Sequence, residues 1–280
     1  MPQASTYKAI LLDLDGTLVN DQNEIPEYTK TALRALNRRD IRVMISTGRS
    51  ELATTGILEQ LEIENLAIVY NGAGVYCPRT KRLVEERVVS GVTIAKTMEF
   101  ARQEDLFVVV SRAGAKFSYA PRNEIEAAAI SEMRGLQICE PDQLPNEYLI
   151  RLTLFSLDTE YERQEKRMAE FIERPVYTTS FPLSMLAHHR DSPMHVLDVH
   201  APCLGKGEAL RVLSEKYGIA AEHVVAVGDA MNDVPMLEAA GLGVAMQDST
   251  PDVLKVADRV IGSNNSNAIG ELVDELFGPA

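Results

Sequence analysis

Asp13 and Asp15 stand one residue apart, directly after the apolar run Ala9-Ile10-Leu11-Leu12. Side chains alternate along a strand, so both carboxylates project to one face while Leu14 turns away. Two such groups repel, and burying them unpaired costs several kcal/mol. A multivalent cation removes that cost, and hard oxygen ligands of this kind suit Mg²⁺. Gly16 lets the backbone leave the strand in a conformation that other residues resist, and Thr17 follows it. A plain polar turn would use the same residue types, so the partners elsewhere in the chain decide between the two readings.

Two further groups suit an anion. Thr47-Gly48 offers a hydroxyl and an unobstructed backbone N–H at the start of a helix, although Thr is also a common helix cap. Lys206, within Leu204-Gly205-Lys206-Gly207, heads the helical pattern of residues 206–217, where a cation opposes the helix dipole. A bound phosphate would give it a reason to be there. Gly228-Asp229-Ala230-Met231-Asn232-Asp233 then sets two acids and an amide in one turn. Asp229 is the natural third carboxylate for a Mg²⁺ site, while Asp233 also reads as a helix cap. The histidines lack H-E-x-x-H spacing, and no P-loop, G-x-G-x-x-G or G-x-S-x-G is present. Zincin, nucleotide-cofactor and serine-hydrolase chemistry are therefore unsupported.

The elements that must carry these groups alternate at both ends of the chain. Apolar strands over 8–12, 41–45 and 66–70 are separated by helical patterns over 26–36 and 52–61, which implies parallel pairing with right-handed crossovers. The rhythm returns after residue 201 with helix 206–217, strand 224–227, helix 233–240, strand 242–245 and a last helix over 268–277. Between them lies a different pattern: a hairpin around Pro78, then short strands at 107–110, 116–119, 149–155, near 176 and at 195–199, with helices at 91–101, 123–133 and 161–172. Adjacent strands joined by Gly-containing turns predict an antiparallel sheet with helices on one face. The expected fold class is thus α/β, a doubly wound parallel-sheet core interrupted by an α+β insert, with 1–85 and 200–280 as core and 86–199 as cap domain. Asp13-Asp15, Thr47-Gly48 and Asp229-Asn232-Asp233 all follow strands, the edge where open parallel sheets bind ligands.

Composition sets the outer limits. The 280 residues are 45% hydrophobic and 25% charged, with a formal net charge of −13. That charge argues against a nucleic-acid-binding surface. No run approaches the ~20 apolar residues of a membrane span, and residues 1–5 read as neither a basic leader nor a secretory prelude. Cys77, Cys139 and Cys203 are far apart, which suggests reduced thiols and a cytoplasmic location. A monomer or homodimer is expected.

Taken together, the motifs resemble those of the haloacid dehalogenase-like superfamily. Asp13-Leu14-Asp15-Gly16-Thr17 is similar to its first motif, Ser46-Thr47-Gly48-Arg49 to its second, Lys206-Gly207 to its third and Gly228-Asp229-Ala230-Met231-Asn232-Asp233 to its fourth. The insert, Asn71-Gly72-Ala73 and Val196-Leu197-Asp198-Val199 resemble Cof-type sugar phosphatases with a large class IIB cap. The resemblance implies a Rossmann-like core and Mg²⁺-dependent hydrolysis of small phosphorylated metabolites, sugar phosphates foremost, through an aspartyl-phosphate. It implies Asp13 as nucleophile and Asp15 as general acid and base. Mg²⁺ would sit on the Asp13 carboxylate, the Asp15 carbonyl and Asp229, with Asp233 behind them. Leu14 N–H, Thr47, Gly48, Lys206 and Asn232 would gather phosphate oxygens, and Arg49, Asn71, Arg151 and His188 are candidates for the leaving group. A phosphomannomutase-like mutase and a non-catalytic sugar-phosphate binder are the alternatives.

Overall fold

The computed structural model of the chain covers residues 6–279; the reading of residues 1–5 falls outside the described residues. The chain divides into two units, one made of the chain up to Val84 and from Leu204 onward, the other of Glu85–Cys203. The sequence placed these divisions at 85/86 and 199/200. The second moves because the strand His195–His200 pairs along its whole length inside the insert's sheet.

In chain order the first unit begins with β1 (Ala9–Leu12), α1 (Glu27–Asn37), β2 (Arg42–Ile45), α2 (Glu51–Gln60), β3 (Ala67–Val69), β4 (Gly74–Cys77) and β5 (Arg82–Glu86), the last crossing the division. The insert holds α3 (Gly91–Gln103), β6 (Phe107–Arg112), β7 (Ala115–Ser118), α4 (Glu124–Ile130), β8 (Leu136–Ile138), β9 (Arg151–Ser156), α5 (Tyr161–Ile172), β10 (Tyr177–Pro182) and β11 (His195–His200). The first unit resumes with α6 (Glu208–Tyr217), β12 (Val224–Gly228), α7 (Val234–Ala239), β13 (Leu242–Met246), α8 (Pro251–Val256), β14 (Arg259–Ile261) and α9 (Ala268–Phe277).

The core sheet has the order β14-β13-β12-β1-β2 and is parallel throughout. All four β1 residues are buried, as a central strand covered on both faces requires. Ala9 and Leu11 pack with Met44, Leu210, Leu213, Val224, Ala226 and Met236, and each fully buried leucine contributes about 1.5–3 kcal/mol. Leu12 is level with Val227 on one side and Ile45 on the other. Asp13 and Ser46 therefore leave the sheet at the edge where Gly228 ends β12, on either side of the point where strand order reverses.

β3 departs from the expected third parallel strand. One parallel bridge, Ser46 to Ile68, links it to the chain beyond β2, and its ladder is antiparallel with β4 in a β3-β4-β5 sheet. β2 has already ended there, so β3 finds only one residue of parallel partner. The short strands β8 and β14 were not legible either, being three residues each. α6 starts at Glu208 rather than Lys206, after a single 3₁₀ turn over Gly205–Gly207.

The insert's sheet runs β10-β11-β9-β6-β7-β8 and is antiparallel except for the β7–β8 pair. One face packs Val108, Val110, Leu152 and Leu154 against Ile94 and Phe100 of α3 and Met168 and Ile172 of α5. The expectation of helices on one face is corrected by α4, whose Ala129 and Ile130 pack with Phe107, Val109 and Phe155, residues of the opposite parity. That second face turns polar toward Ser111, Arg151, Thr153, Asp198 and His200, all buried or nearly so. Among the described residues no helix is long and apolar enough to cross a membrane.

Candidate active site

At the end of β1, Asp13 is 3% exposed and its Oδ1 lies 2.7 Å from Lys206 Nζ. The same ammonium donates to Asp233 Oδ1 at 2.7 Å. Asp233 Oδ2 accepts the backbone N–H groups of Asp229, at 3.0 Å, and Ala230, at 2.9 Å. The helix-cap reading of Asp233 is corrected here: it stands at the head of α7 without a side-chain cap hydrogen bond, and its carboxylate instead closes the preceding turn and anchors the lysine. Gly228 leaves space for it: a Cβ there would lie 2.5 Å from the Asp233 side chain. Across the site, Thr17 Oγ1 donates to Asp229 Oδ1 at 2.5 Å. Gly16 has φ +78°, and a Cβ on it would come within 2.3 Å of Asp229 Oδ2. Both conformation and space restrict that position to glycine.

Asp13, Asp229 and Asp233 each offer an oxygen within 4.8 Å of the others, with Lys206 as the ammonium among them. Burial, then the Asp233 charge, drive the Asp13 carboxyl well above its ordinary range, although Lys206 pulls the other way. Burial and Asp233 likewise push Asp229 up to about 7, against the Thr17 hydrogen bond and Lys206. Burial works against the Lys206 charge, but Asp13 and Asp233 outweigh it and hold the ammonium. An excess of acid over base in a dry site is what a divalent cation neutralises, so the donor set fits Mg²⁺. Geometry alone admits Asp233 as a ligand. Its two oxygens already accept three hydrogen bonds, whereas Asp13 Oδ2 and Asp229 Oδ2 lie beyond the bonds described.

Asp15, on the same strand end, meets Arg49 through a two-pronged contact: Nε to Oδ2 at 2.8 Å and Nη2 to Oδ1 at 2.6 Å. Such forks fix direction as well as charge. Arg49 Nη2 also donates to Asn23 Oδ1 at 3.0 Å. Thr47 is 1% exposed, and its Oγ1 accepts from Arg49 N at 3.1 Å. The cap of α2 is Ser50, which removes the plain capping reading of Thr47. Asn232 Nδ2 donates to Asn71 Oδ1 at 3.1 Å, and Ser46 Oγ donates to the Lys206 carbonyl at 3.0 Å.

The first unit thus holds Asp13, Asp15, Thr47, Gly48, Arg49, Asn71, Lys206, Asp229, Asn232 and Asp233. Leu14, in the same unit, is fully buried, and its carbonyl accepts from Val19 N at 2.9 Å. Arg151 and His188 belong to the other unit, where Arg151 Nη1 lies 3.4 Å from Asp198 Oδ2 and His188 sits in the turn Ala187–His189. Sequence reasoning missed Thr17, Ser46 and Asn23 as partners. Thr17 was visible inside its motif and Ser46 beside Thr47, whereas nothing in the loop sequence marked Asn23.

Comparison with known proteins gives the family and the fold. The sequence pattern of the haloacid dehalogenase-like hydrolase family matches residues 10–273. The putative phosphatase YxeH of Bacillus subtilis is 28% identical over 280 residues, 96% of this chain and 98% of that protein. The 5-amino-6-(5-phospho-D-ribitylamino)uracil phosphatase YcsE of Bacillus subtilis is 26% identical over 267 residues, 95% of this chain and 94% of that protein. A solved subclass IIB sugar phosphatase, BT4131, shares the fold with a TM-score of 0.79 at 21% identity, covering 96% of this chain and 98% of that one.

Proposed function

The chain belongs to the haloacid dehalogenase-like hydrolases and is a phosphoric monoester hydrolase, and we propose that it hydrolyses small phosphorylated metabolites, sugar and sugar-alcohol phosphates first, with Mg²⁺ and through a phosphoryl group carried on Asp13. The observation that carries this reading is the buried Asp13–Lys206–Asp233 chain beside Asp229, with a second acid two residues from the first. A relative named for a ribityl phosphate supports the substrate class.

In this mechanism an Asp13 oxygen attacks phosphorus in line, forming one P–O bond as the ester P–O bond breaks. Asp15 gives its proton to the departing alkoxide, then takes one from the water that attacks the phosphoryl group. That second attack releases phosphate and restores the Asp13 carboxylate. In the structure both Asp15 oxygens accept from Arg49, so Asp15 works as an acid only once that fork opens and it takes up a proton. Lys206, Thr47, the N–H groups of Gly48 and Leu14, and Asn232 bind the non-bridging oxygens. The Asp13 and Asp229 carboxylates and the Asp15 carbonyl would hold Mg²⁺, which would supply the remaining neutralisation of phosphoryl charge. Asp233 shapes the Asp229 turn from behind. The insert selects the leaving group, with Arg151 and His188 as contributors. Scattered cysteines without a disulfide among the described residues fit a cytoplasmic setting.

The test is phosphate release across sugar phosphates, sugar-alcohol phosphates and nucleotides, with Mg²⁺ and with excess chelator. Mg²⁺-dependent release, strongest for the first two groups, is expected. Full activity in chelator contradicts the metal role, and an isomerised hexose phosphate in place of released phosphate contradicts hydrolysis.

A further inference from the structure

Beyond the residues that touch phosphate, the turn after β3 has an unusual backbone. Tyr70, Asn71 and Gly72 have φ values of 53°, 50° and 92°, three left-handed residues in succession. L side chains resist that region, and a folded chain keeps them there only when surrounding contacts over-determine them. Here the contacts are visible. Tyr70 N donates to the Arg49 carbonyl at 2.9 Å, and Asn71 N donates to the Thr47 carbonyl at 3.0 Å. Tyr70 is 1% exposed and Asn71 2%.

The turn reaches three of the proposed phosphate-binding segments. Asn71 Oδ1 accepts from Asn232 Nδ2 at 3.1 Å. A Cβ on Gly48 would lie 3.0 Å from Asn71 Oδ1 and 3.2 Å from its Nδ2, so the end of the Asn71 amide sits against that glycine. A Cβ on Gly72 would lie 2.2 Å from the Gly205 carbonyl, beside Lys206. These contacts all lie within one unit of the chain.

An asparagine amide has two N–H groups and one carbonyl oxygen. Accepting one Asn232 N–H sets which way that amide faces and leaves its other N–H to point elsewhere. We propose that Asn71 is a positioning residue for the phosphate half of the site: it orients the Asn232 amide and fixes the Gly48 peptide, and it does not contact the leaving group. This replaces the sequence expectation for Asn71, and it rests on the phosphatase reading above.

Asn71→Gly makes the test clean, because glycine adopts the left-handed backbone without penalty while the amide is lost. Four quantities are measured with Mg²⁺ present: Tm, the increase in Tm caused by inorganic phosphate, and kcat/KM for two esters with different leaving groups. A lost supporting contact of this kind weakens binding or activity about 10–100-fold. The expected result is an unchanged or higher Tm, a smaller phosphate-induced increase, and the same fold-loss in kcat/KM for both esters. Asn232→Ala should show a similar loss, and the double variant should lose little more than either alone. Unequal losses for the two esters with an unchanged response to phosphate would make Asn71 a leaving-group contact and overturn the proposal. Unaltered kcat/KM, fully additive losses, or a fall in Tm that accounts for the lost activity would also overturn it. Wild-type protein that releases phosphate from no ester would sink the phosphatase reading instead, and the response to inorganic phosphate would still decide the role of Asn71.

Discussion

Two buried charge clusters, one in each unit, handle the same cost in opposite ways. In the core, Asp13 is 3% exposed, and in the insert Asp198 is also 3% exposed. Burial raises both carboxyls above their ordinary range. The next influence differs in sign. Around Asp13 it is another carboxylate, Asp233, with Asp229 and Asp15 adding to it and Lys206 alone opposing. Around Asp198 every further influence is favourable to its charge: Arg151, the Thr153 hydroxyl at 2.5 Å, and Lys116. His200 nearby is pushed down to about 3 by burial and Arg151, so it adds no charge near neutral pH. The insert cluster compensates itself with its own residues. The core cluster is one positive charge or more short, and the proposal that a cation and a phosphate are handled there rests on that shortfall.

The largest effect should come from Asp13→Asn, which removes the nucleophile and should lower phosphate release by about 10⁴-fold or more. Asp198→Asn keeps a hydrogen-bonding group beside Thr153 and should stay within about tenfold in the same assay. Equal losses would erase the distinction between the clusters. Next in size, Lys206→Met leaves Asp13 and Asp233 buried without their shared cation. A loss of about 3–5 kcal/mol is expected in urea unfolding with chelator present, partly recovered when Mg²⁺ is added. An unchanged midpoint would show that the lysine carries no such charge balance.

A pH dependence separates the two clusters further. A carboxyl raised in the folded chain keeps a proton there that the unfolded chain gives up near pH 4. The folded state then holds more protons, so in chelator stability should fall as pH rises from about 4 toward 7, the value reached by Asp229. Asp198 contributes with the same sign but offers nothing to a metal. Mg²⁺ should therefore raise Tm more at pH 8 than at pH 5, and an equal rise at both would contradict the core assignment. The smallest contrast pairs Thr17→Val with Thr153→Val. The first removes the hydrogen bond that favours ionised Asp229 and should weaken Mg²⁺ binding by about 10-fold in calorimetry. The second removes the matching bond to Asp198 and should leave Mg²⁺ affinity unaltered.

Much of this arrangement was legible because it is local. β1, β2 and β12 are short apolar runs, and the motif residues sit within a few positions of their ends. Helices Tyr161–Ile172 and Ala268–Phe277 fall where the apolar spacing placed them. What escaped depends on contacts distant in sequence. The fork between Arg49 and Asp15 spans 34 positions and the Asn232–Asn71 bond spans 161, and neither partner's identity encodes the other. β3 read as a parallel strand because its composition is that of one; its pairing was decided by where β2 stops. The position of α4 on the second face of the insert's sheet followed from side-chain parity across several strands, which no single segment contains.

Whether Asp13 carries the phosphoryl group is tested most directly by chemical trapping. Mg²⁺-loaded protein is mixed with substrate, quenched within the first turnover and reduced with borohydride, which converts an acyl phosphate on aspartate to homoserine. Asp15→Asn, given an aryl phosphate whose leaving group needs no proton, keeps the first attack and slows the second, and so supplies a preparation in which the intermediate persists. Homoserine is predicted at position 13, formed only when substrate and Mg²⁺ are both present. Homoserine at another position, or intact Asp13 in protein that is releasing phosphate at that moment, would contradict the assignment.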